Sequence, residues 1–526
     1  MTEQRTRGES EEIDAAVHAA KRSLWRDWLG QERSAHYRWT RFFILRLLGL
    51  LYLMGFWIFV QQGLPLLGKD GLLPAASFVA RLVQQEGGVS AAFWRLPSLF
   101  ILTGASDGWM LGAAWVGVVL SAVVLAGYAN AILLWILWAL YMSLVHIGQL
   151  FYGYGWEMQL LETGFLAIFL CSPLDPRPLP DTDPPLAVVW MYRWLIFRVM
   201  LGAGLIKIRG DECWRDLTCL YYHYETQPIP SPLSPLFHFL PRGIEKASVL
   251  FNHLSELVAP FGVFGPRRVR HAAGGILLAF QILIILSGNL AILNWLTLVP
   301  IVACFDDSRL ERLVPARFRA RALGPATTPG TGQRVAVWGL ALVVAFLSMG
   351  PIANLLSSEQ AMNTSFDPFD LVNSYGAFGT VGRHRDEILF EGASEGTLSP
   401  STEWRAYEFR CKPGDPNRRP CWMSPYHYRL DWQIWFAAMT DPDRAPWTLH
   451  LVWKLLHGDK GTLSLLANDP FANSPPRFIR ATLYRYRFAP LGRKAWWERQ
   501  RVREWLPPLS VDDPRLRRFL SAYGWL

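Results

Sequence analysis

Long apolar runs separated by short polar stretches fill the chain from residue 42 to residue 356. The runs at 42–60, 108–127, 129–150, 157–172, 186–206, 271–288, 290–305 and 335–356 approach the roughly 17 to 25 apolar residues that a hydrocarbon core demands. A further run at 244–264 is interrupted by Glu245, Lys246, His253 and Glu256, and reads as a poor span, a re-entrant helix or an interfacial one. After residue 356 the pattern shortens. Residues 373–381, 387–391, 404–410 and 478–488 alternate, or carry β-branched and aromatic side chains between turn signals, and predict strands. Residues 429–439, 447–457 and 463–467 have helical periodicity. The fold class expected is therefore a polytopic α-helical membrane protein with a C-terminal α+β aqueous domain built on an antiparallel sheet.

Charge orients the spans, because Lys and Arg stay on the cytoplasmic side. Residues 1–41 are polar, lack the core and cleavage site of a signal peptide, and predict a cytosolic amphipathic segment. The Arg-rich stretch 306–334 and the cluster Arg267, Arg268 and Arg270 belong inside as well. Both placements hold only if 244–264 crosses. That gives about nine spans, with eight to ten possible, over a domain at 42–356. It places a motif loop at 207–243 and the domain at 357–526 outside. Composition agrees: 51% of the 526 residues are hydrophobic and 18% charged, which suits spans plus a sizeable aqueous domain. The net charge of +9 comes without a nucleic-acid-binding module, so no nucleic-acid partner is expected.

The six cysteines follow this topology. Cys213 with Cys219, and Cys411 with Cys421, fall outside as close pairs and are disulfide candidates. Cys171 and Cys304 fall at cytoplasmic span ends. Pairs outside and single thiols inside fit an oxidising exterior. Neither pair has metal-ligand or C-x-x-C redox spacing, and phosphate-loop, G-x-S-x-G and H-E-x-x-H patterns are absent. No metal and no cofactor is expected. Within the spans, His146, Gln149, Glu157, Glu162, Arg193, Arg198, Gln281, Asn289 and Asn294 are costly in hydrocarbon and are read as glue between helices, with Glu162 and Arg198 placed to pair.

Chemistry is densest at residues 201–235, LGAGLIKIRGDECWRDLTCLYYHYETQPIPSPLSP. Lys207, Arg209, Asp211, Trp214, Tyr222, His223, Tyr224 and Glu225 lead into a proline ladder that includes Pro228 and Pro230. Prolines fix φ and remove donors, so this is a built surface rather than slack chain. Lys207 reads first as a snorkelling lysine tied to Asp211 or Glu212. The aromatic tail (Trp496, Trp497, Trp505 and Trp525) is read as packing before client-binding surface.

The run GLIKIRGDECWRDLTCLYYHYETQPIPSPLS resembles the signature of the lipase maturation factor family. Two further blocks agree, NSYGAFGTVGRHRDEILFEG at 373–392 and YEFRCKPGDPNRRPCWMSPYHYRLDWQIWFAA at 407–438. They single out Asn373, Tyr375, Gly376, Arg383, Glu391, Tyr426, Arg429, Asp431 and Trp432. The resemblance implies a polytopic endoplasmic-reticulum membrane protein that helps secreted lipases fold and assemble, with a secreted client and membrane lipid as partners. In a bacterium the same topology implies the inner membrane, with the C-terminal domain in the periplasm. A shorter stretch, AGLIKIRGDECWRDLTCLYYHY, is similar to the membrane region of vitamin K-dependent gamma-carboxylase. It implies the alternative of a membrane enzyme with Lys207 as base. That alternative is the less favoured. His223 and Glu225 could by residue type also do acid–base chemistry, but a loop histidine flanked by tyrosines reads first as a packing and hydrogen-bonding residue.

Overall fold

The computed structural model describes residues 35–319 and 327–526. The expected N-terminal segment lies almost wholly outside the described residues. Five described helices are long and apolar enough to cross a membrane: Arg38–Leu67, Asp107–Ala126, Leu186–Gly210, Arg267–Ser287 and Thr331–Leu356. Two shorter apolar helices, Ala131–Ile147 and Leu293–Cys304, lie among them. The run at 157–172 becomes the 16-residue helix Gly155–Leu170.

Small residues set the closest approaches. A Cβ on Gly117 would fall 2.3 Å from the Phe56 ring, and one on Gly49 2.7 Å from the backbone nitrogen of Leu125. Gly117 makes room for the Phe56 ring and Gly49 for the Leu125 backbone, so Arg38–Leu67 and Asp107–Ala126 pack closely. The opposite face of Asp107–Ala126 exposes Trp115, Val116 and Val119, as a lipid-facing surface does.

The interrupted run at 244–264 does not form one helix. It divides into Arg242–His253, a π-helical turn at Leu254–Val258, and Ala259–Gly262. Glu245, Asn252 and Glu256 are buried on its inner side. Of the residues that break the apolar pattern, Glu256 serves an interior site, where it meets Lys207, while Lys246 stays exposed, and a π turn re-aims side chains where an α turn would not.

The C-terminal part holds a four-stranded antiparallel sheet in the order β4-β3-β5-β6, with β3 at Arg385–Ala393, β4 at Arg405–Ala406, β5 at Phe478–Phe488 and β6 at Trp497–Leu509. A separate two-stranded pair joins β1 (Thr364–Ser365) to β2 (Asn373–Ser374). Helices Arg429–Ala437 and Trp447–Leu456 lie where helical periodicity predicts them. The strand expected over 373–381 shrinks to β2, because the backbone beyond it is bonded to the side chains of Asn363, Trp214 and Asp211 instead. β6 is the strand the pattern hides: Pro507 and Pro508 argue against a strand, yet β6 is an edge, where a missing donor is tolerated. Trp497 and Trp505 are buried in the sheet's packing and Trp525 stacks on His450, as the packing reading of the tail expects. One apolar core runs unbroken from the helices into the sheet domain.

Candidate functional site

Lys207 faces inward near the end of Leu186–Gly210 and is only 5% exposed. Its ammonium donates to Glu256 Oε1 at 2.6 Å, Glu256 Oε2 at 2.8 Å and Asn252 Oδ1 at 2.8 Å, and lies 4.8 Å from the centre of the Trp214 ring. The expected tie to Asp211 or Glu212 is not made. Those residues lie past the helix end, where Asp211 caps the next turn by accepting from the Cys213 N–H at 3.0 Å. Asp211 also accepts from the Val381 N–H at 3.2 Å and from Arg383 at 3.1 Å. Burial would raise its carboxyl, but these N–H groups and the Arg383 guanidinium outweigh burial and hold it below the usual range.

The rest of the loop is bonded to the C-terminal domain. Arg209 donates to Gln360 Oε1 at 2.9 Å and to the Leu355 carbonyl at 3.0 Å. Trp214 Nε1 donates to the Phe378 carbonyl at 2.9 Å, and Arg383 covers the Tyr222 ring at 4.6 Å. Glu225 accepts from the Phe488 N–H at 2.8 Å. Arg385 on β3 donates to the carbonyls of Glu225 and Pro228, each at 2.9 Å, and of Gln227. Its charge is met by Glu387 at 2.6 Å, which Lys412 approaches at 2.7 Å. Asn289, at the end of a membrane helix, donates to the carbonyls of Pro230 at 3.3 Å and Cys421 at 2.8 Å. The proline ladder is therefore clamped from two sides.

The second and third blocks reach into the helix bundle. Glu162 pairs with Arg198 as the sequence suggests, and also accepts from the Asn373 N–H at 3.0 Å and the Tyr375 hydroxyl at 2.8 Å. Two glycines let this segment lie on Leu186–Gly210. A Cβ on Gly202 would fall 2.3 Å from the Tyr375 carbonyl oxygen, and one on Gly210 2.4 Å from that of Gly379. The Gly376 N–H donates to Asn363 Oδ1 at 3.3 Å. Arg429, fully buried, pairs with Glu157 at 2.9 Å and donates to the Phe151 carbonyl at 2.6 Å. Tyr426 accepts from Gln62 at 2.8 Å. Asp431 accepts from the N–H groups of Cys411 and Lys412 at 2.6 and 3.0 Å, while burial pushes its carboxyl up to about 6. Trp432 packs edge-on against Trp156 at 4.9 Å. Glu391 stands apart, bonded to Arg480 and Thr482 within the sheet. Sequence reasoning left out Arg385, Glu387, Lys412 and Asn252, and took Glu256 only as an interruption. Three charges inside the second and third blocks, Arg385, Glu387 and Lys412, were the available signal.

Both disulfide candidates are bonded, Cys213–Cys219 and Cys411–Cys421, and Cys171 and Cys304 are buried free thiols. Asp211 lies close to the first pair, but sulfurs bonded to each other leave no thiolate for a metal. Denatured protein is expected to take two maleimides before reduction and six after it, read by mass spectrometry. Six before reduction would show that neither bond forms.

His223 sits with its ring edge-on to Phe378 at 4.9 Å. Burial, and then the Lys207 charge, lower its pKa to about 4. Between about 4 and the free value of 6.5 the unfolded chain binds the extra proton, so His223 costs stability as pH falls through that window. His223→Phe removes the cost. The melting temperature of that variant is expected to gain on the unaltered protein as pH drops from 7 to 4.5, by scanning fluorimetry. Parallel curves would refute a histidine held neutral in the fold.

Lys207, Trp214, His223, Asn252 and Glu256 share one cavity of about 1340 Å³, walled by membrane helices, the motif loop and residues 375–386. Apolar helices carrying buried ion pairs, with an antiparallel-sheet domain bonded onto them both through the motif loop and directly, define an integral membrane protein whose aqueous part is docked on its helix bundle. The chain belongs to the lipase maturation factor family. Residues 39–312 match the family model for the lipase maturation factor transmembrane domain, and residues 371–507 that for the lipase maturation factor C-terminal domain. The chain is 44% identical to lipase maturation factor 1 of Bos taurus, over 92% of this chain and 91% of the relative. It is also 44% identical to lipase maturation factor 1 of Homo sapiens, over 92% and 90%. Identity to lipase maturation factor 2 of Rattus norvegicus is 30%, over 90% and 83%. No solved structure matches the chain.

Proposed function

We propose that this chain is a membrane-bound maturation factor that assists the folding or assembly of secreted lipases. Residues 207–243 and the domain at 357–526 act as one client-facing unit on the non-cytosolic side, above a membrane domain at 42–356 of about nine spans. Residues 1–41 lie on the cytosolic side. In a eukaryote the membrane is that of the endoplasmic reticulum; in a bacterium it is the inner membrane, with the unit in the periplasm. The observation that carries the reading is the 44% identity to lipase maturation factor 1 across nearly the whole of both chains. The bonded loop and domain support it physically, because a helper that lowers the population of misassembled clients needs a surface that stays in place.

No observation favours the enzyme alternative. The Lys207 ammonium is committed to Glu256 and Asn252, which suits a structural cation in the junction. The test is expression in cells whose own maturation factor has been removed, together with a secreted lipase. Active lipase is expected in the medium only when the chain is present. Equal lipase activity with and without it would overturn the reading.

A further inference from the structure

The chamber beside Lys207 is larger than client binding on an outer surface would require. At about 1340 Å³ it exceeds the roughly 300 to 1000 Å³ of ordinary small-molecule sites. Ile244 and Leu283 line it and are also 49% and 44% exposed, so they form its rim. Leu283 belongs to a helix with the length and apolarity of a membrane span, and Ile244 lies across the rim from it on Arg242–His253. Between Arg242–His253 and Arg267–Ser287 the chamber opens past these two exposed apolar side chains.

The polar wall specifies what fits. Its charges are compensated: Lys207 by Glu256, Arg385 by Glu387, and Asp386 by Arg485 at 2.9 Å. A phosphate head would find no spare cation, and burying its charge unpaired would be expensive. Neutral groups are better served. Gln159 Oε1 and Asn294 Oδ1 are buried acceptors, and Trp432 Nε1 a buried donor, all on lining residues and without partners among the described residues. The Gln159 amide is oriented by its contact with Thr297 at 3.3 Å, and that of Asn294 by Gln281 at 2.7 Å, which leaves both oxygens as the unmatched atoms. An alcohol hydroxyl answers the acceptors and an ester carbonyl answers the indole. Apolar residues such as Val199, Met200, Phe251, Phe280 and Ile284 complete the wall and suit acyl chains.

We infer that the chamber binds an uncharged two-chain glycerolipid of the diacylglycerol class, which enters sideways from the bilayer past Ile244 and Leu283. The lipid's hydroxyl and ester groups lie among the buried amides and the indole, and its chains lie along the apolar wall. This goes beyond the maturation reading and does not depend on it, since binding is measured without a client.

Purified full-length protein in phosphatidylcholine nanodiscs, given a diacylglycerol with a diazirine on one acyl chain, provides the test. Expected are saturable photo-adducts on the peptides carrying Ile244, Phe280 and Leu283, competed by unlabelled diacylglycerol and not by added phosphatidylcholine or phosphatidylglycerol. Ala203→Trp and Ser248→Trp, each placing an indole in the chamber, should reduce these adducts about tenfold without changing the melting temperature by more than a few degrees. Labelling that does not saturate, that either phospholipid competes equally well, or that both folded variants retain would overturn the inference. The competition on unaltered protein stands even if a variant fails to fold.

Discussion

Glu162→Ala is expected to destabilise the protein by about 3–5 kcal/mol, the usual cost of leaving one partner of a buried ion pair alone. Glu162 and Arg198 are 1% and 2% exposed, so water does not replace the lost carboxylate. The damage also crosses the junction, because the Asn373 N–H and the Tyr375 hydroxyl lose their acceptor in the same step. Thermal unfolding in detergent, followed by size-exclusion fluorescence, measures it. The double variant Glu162→Leu with Arg198→Leu separates the two contributions. An apolar pair of similar volume is often no worse than the ion pair it replaces, so the charge penalty disappears. The unmatched donors of Asn373 and Tyr375 remain, at about 1–3 kcal/mol each. Recovery should therefore be partial, and the remaining gap reports how strongly the second block is held to the helices. Near-normal stability of Glu162→Ala would mean that the C-terminal domain does not depend on this anchor.

The apolar pattern was sufficient for the broad architecture, since period and length locate the helices at 107–126, 186–210 and 267–287 to within about four residues of the apolar runs, and the helix at 38–67 except for its last two turns. Charge pairing was legible where both partners sit inside apolar runs, as with Glu162 and Arg198. It was misleading at Lys207. Nearby acids in sequence looked like partners, but a helix carries Lys207 on a face that Asp211, beyond the helix end, does not share. Its true partner, Glu256, is 49 residues away, on a segment whose π turn no hydrophobic period reveals. Strands fared worse for a related reason. Residues 375–381 have strand-like composition, yet their backbone meets Asn363, Trp214 and Asp211 rather than a neighbouring strand. Such tertiary bonding has no local signature. The three motif blocks were visible as blocks, but not their meeting on one junction, because nothing local marks Arg385, which joins two of them, as different from its neighbour Arg383.

Replacing Arg385 is therefore expected to have the largest functional consequence. Its guanidinium holds the carbonyls of Glu225, Gln227 and Pro228 while it stays paired with Glu387, all with 1% of the residue exposed. Arg385→Lys keeps the charge but not the planar fork, and an ammonium cannot bridge three carbonyls and a carboxylate. Losing two such charge-assisted bonds costs about 1.5–3 kcal/mol each, enough to shift the loop from docked to released by more than about tenfold. Arg385→Met removes the charge too and leaves Glu387 to Lys412 alone. Both variants should still form the Cys411–Cys421 bond, because Asp431 and its N–H donors do not touch Arg385. Both should become sensitive to limited proteolysis within residues 225–240, and active lipase in the medium should fall about tenfold or more. The order expected is unaltered protein, then Lys, then Met. If Arg385→Met matures lipase normally while proteolysis shows the loop released, the loop and the sheet domain do not need to be joined for the work they do, and the client surface must lie on one of them alone.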